Sequence, residues 1–270
     1  MKYYLFFTVL LLLSLSACVK YSTYEITVSD DEKDINQKNL QRVFQTVESK
    51  DTLTIIFTGD SQRFYDETTA FKDAVNQEKD IDFVIFAGDL TDFGIIQEYQ
   101  AMHNIFKELN IPYLCVVGNH DFNYNGGEIF LQMYGPYDFA FTLHDFRFVF
   151  LNSNGREFGW NGEVPNIPWL TEQLADTSNY FGAIVVNHVA PGHVDFDSAL
   201  EESYVEALHQ AGKTMMQLNG HNHDFAESYP YYGDIHYINS YSTQKRKYIK
   251  LKIWKGPDVH NSHSMEIISF

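Results

Sequence analysis

The sequence predicts a layered α/β domain, and three observations indicate it. Short apolar runs typical of buried strands alternate along the chain with longer amphipathic segments typical of helices. The composition is that of a globular protein, with 44% hydrophobic and 16% aromatic residues. Residues 51–270 contain no internal repeat, low-complexity block or break in composition, so we expect them to form one domain.

The first residues, MKYYLFFTVLLLLSLSAC, are typical of an export signal. A basic residue precedes an apolar stretch at 4–13, which is too short to span a bilayer comfortably. The following LSAC, at 15–18, resembles the bacterial lipoprotein box, in which the cysteine is lipidated and becomes the first residue of the mature chain. We therefore expect residues 1–17 to be a lipoprotein signal peptide. Lipidated Cys18 would hold the exported protein on a membrane of the bacterial cell envelope, facing the periplasm or the surface. A retained anchor helix is the alternative.

The next elements are a tether and a leading helix, which together with Cys18 make up residues 18–50. Residues 19–33 are polar and acidic, as expected for a spacer next to the membrane. Apolar residues then recur at helical spacing, which predicts a helix near 33–49 that packs on the domain.

Strands and helices alternate through most of residues 51–270. The strand-like runs are LTIIF, FVIFA, YLCVV, FAFTL, RFVFL, GAIVV, TMMQL, IHYINSY, KYIKLKIW and MEIISF. The helix-like segments are ETTAFKDAVNQ, IIQEYQAMHNIFKEL, IPWLTEQL and ESYVEALHQ. Several strands are apolar throughout, which is typical of sheets covered on both faces.

The net charge argues against one class of function, and the position of Cys115 indicates a buried thiol. The formal net charge of -17 repels phosphate backbones and argues against a nucleic-acid binder. A phosphate-bearing small substrate remains compatible, because a bound metal can reverse the local charge. Cys115 lies inside an apolar run and is expected to be a buried thiol.

Polar motifs follow five of the strands. They read GDSQ at 59–62, GDLTD at 88–92, GNHD at 118–121, NHVAPG at 187–192 and NGHNHD at 219–224. In open α/β sheets, ligand sites collect beyond the carboxyl ends of the strands, so we expect these motifs to meet there. Their carboxylate, amide and imidazole groups suit Mn, Fe or Zn.

This ordered series of motifs resembles the calcineurin-like metallophosphoesterases over residues 52–225. The resemblance implies a four-layer αββα sandwich with two divalent metal ions at the strand ends. It implies that Asp89 bridges the metals, that Asp60 and His223 hold the first, and that Asn119, His188 and His221 hold the second. His120 would protonate the leaving oxygen or stabilise the phosphoryl group, with Asp121 orienting it.

One position departs from the common family pattern. The first motif usually reads Asp-x-His, whereas this chain has Asp60-x-Gln62. Gln62 is expected to ligate the first metal through its carbonyl, and a hydrogen bond to one of the metal ligands is the alternative. Some branches of the family that act on nucleotide-type pyrophosphates carry this glutamine.

The function that the resemblance implies is hydrolysis of a small phosphoester by a hydroxide that two metals activate. Monoester, diester and pyrophosphate substrates stay open, with a mild preference for a nucleotide-like one. A non-catalytic envelope binding protein on the same fold is the main alternative. A phosphoesterase acting on envelope lipids or glycans is a third reading.

Overall fold

Two β-sheets packed face to face form the centre of the molecule. The computed structural model describes residues 26–47 and 51–270. The predicted signal peptide and Cys18 lie outside the described residues. Within them, no helix combines the length and the apolar character needed to cross a membrane.

Sheet I has five strands in the order β11-β10-β1-β2-β3. These strands are β1 (Thr52–Thr58), β2 (Phe83–Phe86), β3 (Tyr113–Cys115), β10 (Lys247–Trp254) and β11 (His263–Ser269). β1, β2 and β3 are parallel, whereas β10 pairs antiparallel with β1 and β11 antiparallel with β10.

Sheet II has six strands in the order β4-β5-β6-β7-β9-β8. These strands are β4 (Phe139–Leu143), β5 (Phe146–Phe150), β6 (Gly182–Val186), β7 (Thr214–Asn219), β8 (Ala226–Ser228) and β9 (His236–Asn239). β5, β6, β7 and β9 are parallel. β4 and β5 form a hairpin, whose turn residues His144 and Asp145 both have positive φ.

Among the described residues, six α-helices cover the sheets. They are α1 (Ile35–Thr46), α2 (Tyr65–Val75), α3 (Ile96–Phe106), α4 (Gly126–Met133), α5 (Ile167–Ala175) and α6 (Glu201–Gln210). α2, α3 and α4 pack on the outer face of sheet I, in a core that includes Phe71, Tyr99 and Phe130. α5 and α6 pack on the outer face of sheet II through Leu170 and Tyr204.

A third core fills the space between the sheets and completes a four-layer αββα sandwich, as predicted. It joins Ile55 and Ile85 of sheet I to Phe148, Ile184 and Leu218 of sheet II. The alternation of strand side chains between two faces explains why central strands such as β2 and β6 are apolar throughout. These strands have one face on the shared core and the other under helices.

The edge of sheet I at β3 is covered by the leading helix. Asn36 of α1 donates from Nδ2 to the Cys115 carbonyl at 2.9 Å and accepts from the Cys115 amide at 2.9 Å. This side chain therefore continues the ladder of the strand and protects an otherwise open edge. The Cys115 thiol is buried, as expected.

Two features differ from the sequence prediction. The polar segment at 19–33 was expected to be a tether, but Val28 is buried in the core beneath α3 and α4 and Ile26 packs against it. The described part of this segment is thus packed on the domain, because two apolar residues among the acidic ones are enough to anchor it. α4 was not predicted, since it begins with two glycines and is short.

A histidine pair joins the two sheets at β9 and β11. His236 Nδ1 lies 2.9 Å from His263 Nε2, and His236 Nε2 lies 2.9 Å from Glu227 Oε2. Burial lowers the pKa of His236, although Glu227 opposes this. Burial, and then His236 itself, lowers the pKa of His263.

This pair predicts a loss of stability at acid pH. Above the unfolded histidine pKa of about 6.5, both rings are neutral in both states and the stability is fully present. Below that pH the unfolded chain binds protons that the folded chain excludes, so the free energy of unfolding falls. Urea unfolding in chelator at about pH 7 and about pH 5 should show this fall, reduced in the His236→Phe/His263→Phe double variant. His209→Phe, at a half-exposed position, is the control, and an equal fall in the double variant would refute the assignment.

Candidate metal centre

The five predicted motifs meet at the carboxyl ends of the parallel strands of both sheets. Sheet I contributes Asp60, Asp89 and Asn119 after β1, β2 and β3. Sheet II contributes its histidines after β6 and β7, namely His188, His221 and His223. Asp60, Asp89, Asn119 and His188 are buried. The site is therefore assembled from oxygen donors on one sheet and nitrogen donors on the other.

Three of these side chains point acceptor atoms at one another. Asn119 Oδ1 lies 2.9 Å from His188 Nε2 and 2.9 Å from His221 Nδ1, and the two nitrogens are 3.3 Å apart. His188 Nδ1 donates to the Ala87 carbonyl at 2.6 Å, so its Nε2 carries a lone pair when the ring is neutral. With their lone pairs turned inward, these three side chains would bind a positive ion between them.

A second group of donors lies beside the first. Asp60, Asp89 and His223 each offer a ligand atom, and these atoms all lie within 4.8 Å of one another. His223 Nε2 is 3.5 Å from Asp60 Oδ1. Asp60 is fixed in place by the His221 amide, which donates to its Oδ1 at 3.0 Å.

Asp89 belongs to both groups. Its Oδ1 is 3.3 Å from His188 Nε2 in the first group, and its carboxylate also completes the second. Metal–ligand bonds of 2.0–2.2 Å place neighbouring donor atoms about 3 Å apart, which matches these separations. The donor set of carboxylate, amide and imidazole suits Mn, Fe or Zn, so the residues fit divalent metal ions.

The ionisation of the site reflects its burial and its charges. Burial raises the pKa of Asp60 to about 8, with His188 opposing and Asp89 reinforcing this rise. Burial disfavours charge on His188, but the Asp89 carboxylate outweighs it and raises the pKa of His188 to about 10. Burial and the neighbouring His188 lower the pKa of His221 to about 4. These shifts favour a positive charge on His188 and disfavour one on His221.

The backbone is strained at the same positions. Five of the predicted ligands have positive φ, which is uncommon for residues other than glycine: Asp60 (49°), Gln62 (34°), Asp89 (52°), His221 (75°) and His223 (60°). Conformations of this kind cluster at functional sites, where the surrounding structure enforces them. The strain therefore supports a functional role for the strand ends.

His120 is oriented by Asp92 and not by Asp121. His120 Nδ1 lies 2.9 Å from the Asp92 carbonyl oxygen and 3.4 Å from its carboxylate. Asp121 is buried and instead accepts from the Leu90, Thr91 and Gly118 amides, at 3.2, 2.9 and 2.9 Å. The expected orienting role of Asp121 is corrected accordingly, because its carboxylate ties the second motif to the third.

Gln62 faces Asp89 through its amide nitrogen. Nε2 donates to Asp89 Oδ2 at 2.9 Å, and the side chain is buried. This contact corresponds to the alternative that the sequence left open, in which Gln62 bonds to a metal ligand and not to the metal. Through this contact Gln62 lies next to the second group of donors, to which Asp89 belongs.

Sequence reasoning missed two residues beside His221. Asp195 Oδ2 is 3.1 Å from His221 Nε2, and Arg156 Nη1 donates to both oxygens of Asp195 at 3.0 Å. His193 packs edge-on against His221 with ring centroids 4.4 Å apart. The only sequence signal was the HVD stretch at 193–195, directly after the fourth motif.

Close backbone packing at Gly118 yields a stability prediction. A Cβ at this position would lie 2.1 Å from the Asp89 amide nitrogen and 2.2 Å from its Oδ1. We expect Gly118→Ala to lower the free energy of unfolding by about 3 kcal/mol, because backbone must move, and to displace Asp89. Gly135→Ala is the control, since Gly135 has positive φ but nothing within 4 Å of such a Cβ. Its cost should be only about 1 kcal/mol. Urea unfolding measures both, and equal costs would contradict the packing argument.

Comparison with known proteins agrees with this geometry. The sequence profile described as calcineurin-like phosphoesterase matches residues 53–225. The chain is 25% identical over 133 residues to a probable cyclic nucleotide phosphodiesterase of Psychrobacter sp., covering 44% of this chain and 39% of that protein. It is 26% identical over 183 residues to the glycerophosphodiester phosphodiesterase GpdQ of Enterobacter lignolyticus, covering 60% and 64%. The alignments thus span less than two-thirds of these relatives.

A solved structure shares the fold at low sequence identity. The dimetal phosphatase from Danio rerio superposes with a TM-score of 0.61 at 13% identity, covering 79% of this chain and 98% of that chain. Together with the profile match over most of residues 51–270, the convergent donor groups identify the family. The protein belongs to the calcineurin-like phosphoesterases, metal-dependent hydrolases that act on phosphoester bonds.

Proposed function

We propose that this protein is a two-metal phosphodiesterase. The observation that carries the proposal is the position of Asp89, whose carboxylate is shared by two adjacent donor groups. One divalent ion would be held by Asp60, His223 and Asp89, and the other by Asn119, His188, His221 and Asp89. Bound there, the ions would supply Lewis-acid charge and lower the pKa of coordinated water.

The chain itself would supply the proton for the leaving group. Because His120 Nδ1 is engaged by the Asp92 carbonyl, Nε2 is the nitrogen left to donate to a leaving alkoxide. The side chain of His120 is 38% exposed, so substrate can reach it, whereas that of Asp92 is 5% exposed. Arg63 Nη1 donates to Asp92 Oδ2 at 2.8 Å and holds Asp92 in place beside His120.

A diester substrate is supported by the relatives. Both of the curated relatives described above are named as phosphodiesterases, one for cyclic nucleotides and one for glycerophosphodiesters. Manganese, iron and zinc all suit the donor set. Phosphodiesters of a nucleotide-like alcohol and of a glycerol-like alcohol are the two substrate classes to compare.

The test is hydrolysis of bis(p-nitrophenyl) phosphate against p-nitrophenyl phosphate, with Mn, Fe, Zn, Co or Mg added to the purified protein. We expect metal-dependent turnover, faster on the diester. His120→Ala should lower kcat by about 10²–10⁴-fold without changing the metal content, because only proton transfer is lost. Asp89→Ala should lose the bound metal as well.

His144→Ala, in the turn between β4 and β5, is the matched histidine control and should keep full activity. A preference for the monoester, or metal-dependent turnover that persists in Asp89→Ala, would contradict the proposal. Glycerophosphodiesters and cyclic nucleotides, assayed next, separate the two substrate classes.

We also propose that Cys18 carries a lipid anchor, on the basis of the LSAC box alone. Replacing this cysteine should release the protein from the membrane fraction of the cells that express it. Labelling with a radioactive fatty acid should mark the wild-type chain and not Cys18→Ala. Membrane association that is unchanged in Cys18→Ala would refute the anchor.

A further inference from the structure

Behind His221 lies a charged pair that the proposed chemistry does not use. The pair is Arg156 and Asp195, and with His221 it forms a chain of contacts between the segments that follow β5, β6 and β7. Arg156 Nη1 donates to both carboxylate oxygens of Asp195 at 3.0 Å, and Asp195 Oδ2 lies 3.1 Å from His221 Nε2. The far nitrogen of the same ring, Nδ1, lies 2.9 Å from Asn119 Oδ1 in the donor cluster.

This arrangement fixes which nitrogen of His221 faces the donor cluster. A carboxylate only accepts, so the contact with Asp195 places the N–H on Nε2. The lone pair is then on Nδ1, where a ligating nitrogen is needed. The tautomer of His188 is fixed by a neutral partner instead, since its Nδ1 donates to the Ala87 carbonyl. His221 therefore differs in having a carboxylate partner, which makes its ring nitrogen Nδ1 a stronger metal ligand.

Asp195 is itself held from several directions. Its amide donates to His193 Nδ1 at 3.2 Å, and its carbonyl accepts from the Arg156 amide at 3.1 Å. Asp195 is buried, with 8% of its surface exposed, whereas the Arg156 side chain is 43% exposed. A buried carboxylate that is clamped in this way has little freedom to turn away from the imidazole.

We propose that Asp195, held by Arg156, is a positioning residue that fixes the tautomer and orientation of His221 as a metal ligand. The inference rests on the two-metal site proposed above. It assigns the role to one half of that site only, because Asp195 contacts the His221 ring, whereas Asp60 accepts from the His221 backbone amide, which the ring tautomer does not change.

A competing reading of the same side chains is an additional cation site. His193, Asp195 and His221 each offer a ligand atom within 4.8 Å of the others. That site would need the lone pair on His221 Nε2, which would leave the N–H on Nδ1 facing Asn119. The two readings therefore demand opposite tautomers of one ring and predict different numbers of bound ions.

The test is the stoichiometry and affinity of Mn²⁺ binding to the purified chain, by calorimetry and elemental analysis. The wild type should bind two ions. Asp195→Ala should bind one of them about 10–100-fold more weakly and leave the other unchanged. Asp195→Asn, whose amide oxygen still accepts from Nε2, should lose less affinity, and Arg156→Gln less again.

Asp234→Asn is the matched control. Asp234 pairs with His209 at 2.7 Å near the carboxyl end of α6, so it is also a carboxylate on an imidazole. Its replacement should change neither site. The Mn²⁺ electron paramagnetic resonance spectrum gives a second readout, because weaker occupancy of one site should convert a spin-coupled signal to that of an isolated ion.

The possible outcomes separate the two proposals. Two ions bound with unchanged affinity in Asp195→Ala and Asp195→Asn would overturn the positioning role and leave the two-metal site standing. Three ions in the wild type and two in Asp195→Ala would overturn it in favour of the additional cation site. A wild type that binds no ion would overturn the proposed function, and the positioning role with it. Equal weakening of both ions would show a general structural effect and would also overturn the proposal.

Discussion

The burial of the Asp89 carboxylate is the constraint on which the rest of the site depends. An ionised carboxylate inside a protein is costly unless positive charge or hydrogen-bond donors surround it. Here the His120 amide and the Gln62 side chain donate to it, and His188 approaches it from the opposite sheet. The remaining requirement for positive charge is the physical reason for a metal centre at this point.

Both sheets supply the donor atoms that would surround this positive charge. The oxygen donors follow β1, β2 and β3 of sheet I, and the imidazoles follow β6 and β7 of sheet II. Both sets reach one point only if the parallel strands of both sheets run in the same direction and the shared core sets their separation. Direct contacts also cross the gap, such as the His188 ring to the Ala87 carbonyl. Packing between the sheets therefore determines ligand geometry.

Most of the scaffold was predictable because apolar runs and glycine-led motifs are local signals. The strand Gly182–Val186 and the strand Lys247–Trp254 coincide with the apolar runs in the sequence. The helix Gly126–Met133 was missed, because its first two residues are poor helix formers and its stability comes from Ile129 and Phe130 in the core.

The contacts between the site residues were less predictable than the identity of those residues. The sequence placed two acidic residues near His120, but only the fold decides which one reaches it. Asp92 does so through its carbonyl oxygen, a group that every residue has. Likewise Arg156 and Asp195 are 39 positions apart in loops, where no periodicity constrains their pairing. Long-range pairing between loops is a property of tertiary structure and leaves little trace in a single sequence.

The division of donors between two sheets gives bound ions a mechanical role. The chain contains only two cysteines, and one of them, Cys115, is a buried thiol within a strand. Ions that join both sheets would act as cross-links between them. Separation of the sheets and release of the ions would then be a single event. In surroundings poor in metal, the protein would lose the cross-link between its sheets together with the ions proposed for catalysis. Its resistance to proteolysis would therefore depend on the metal concentration.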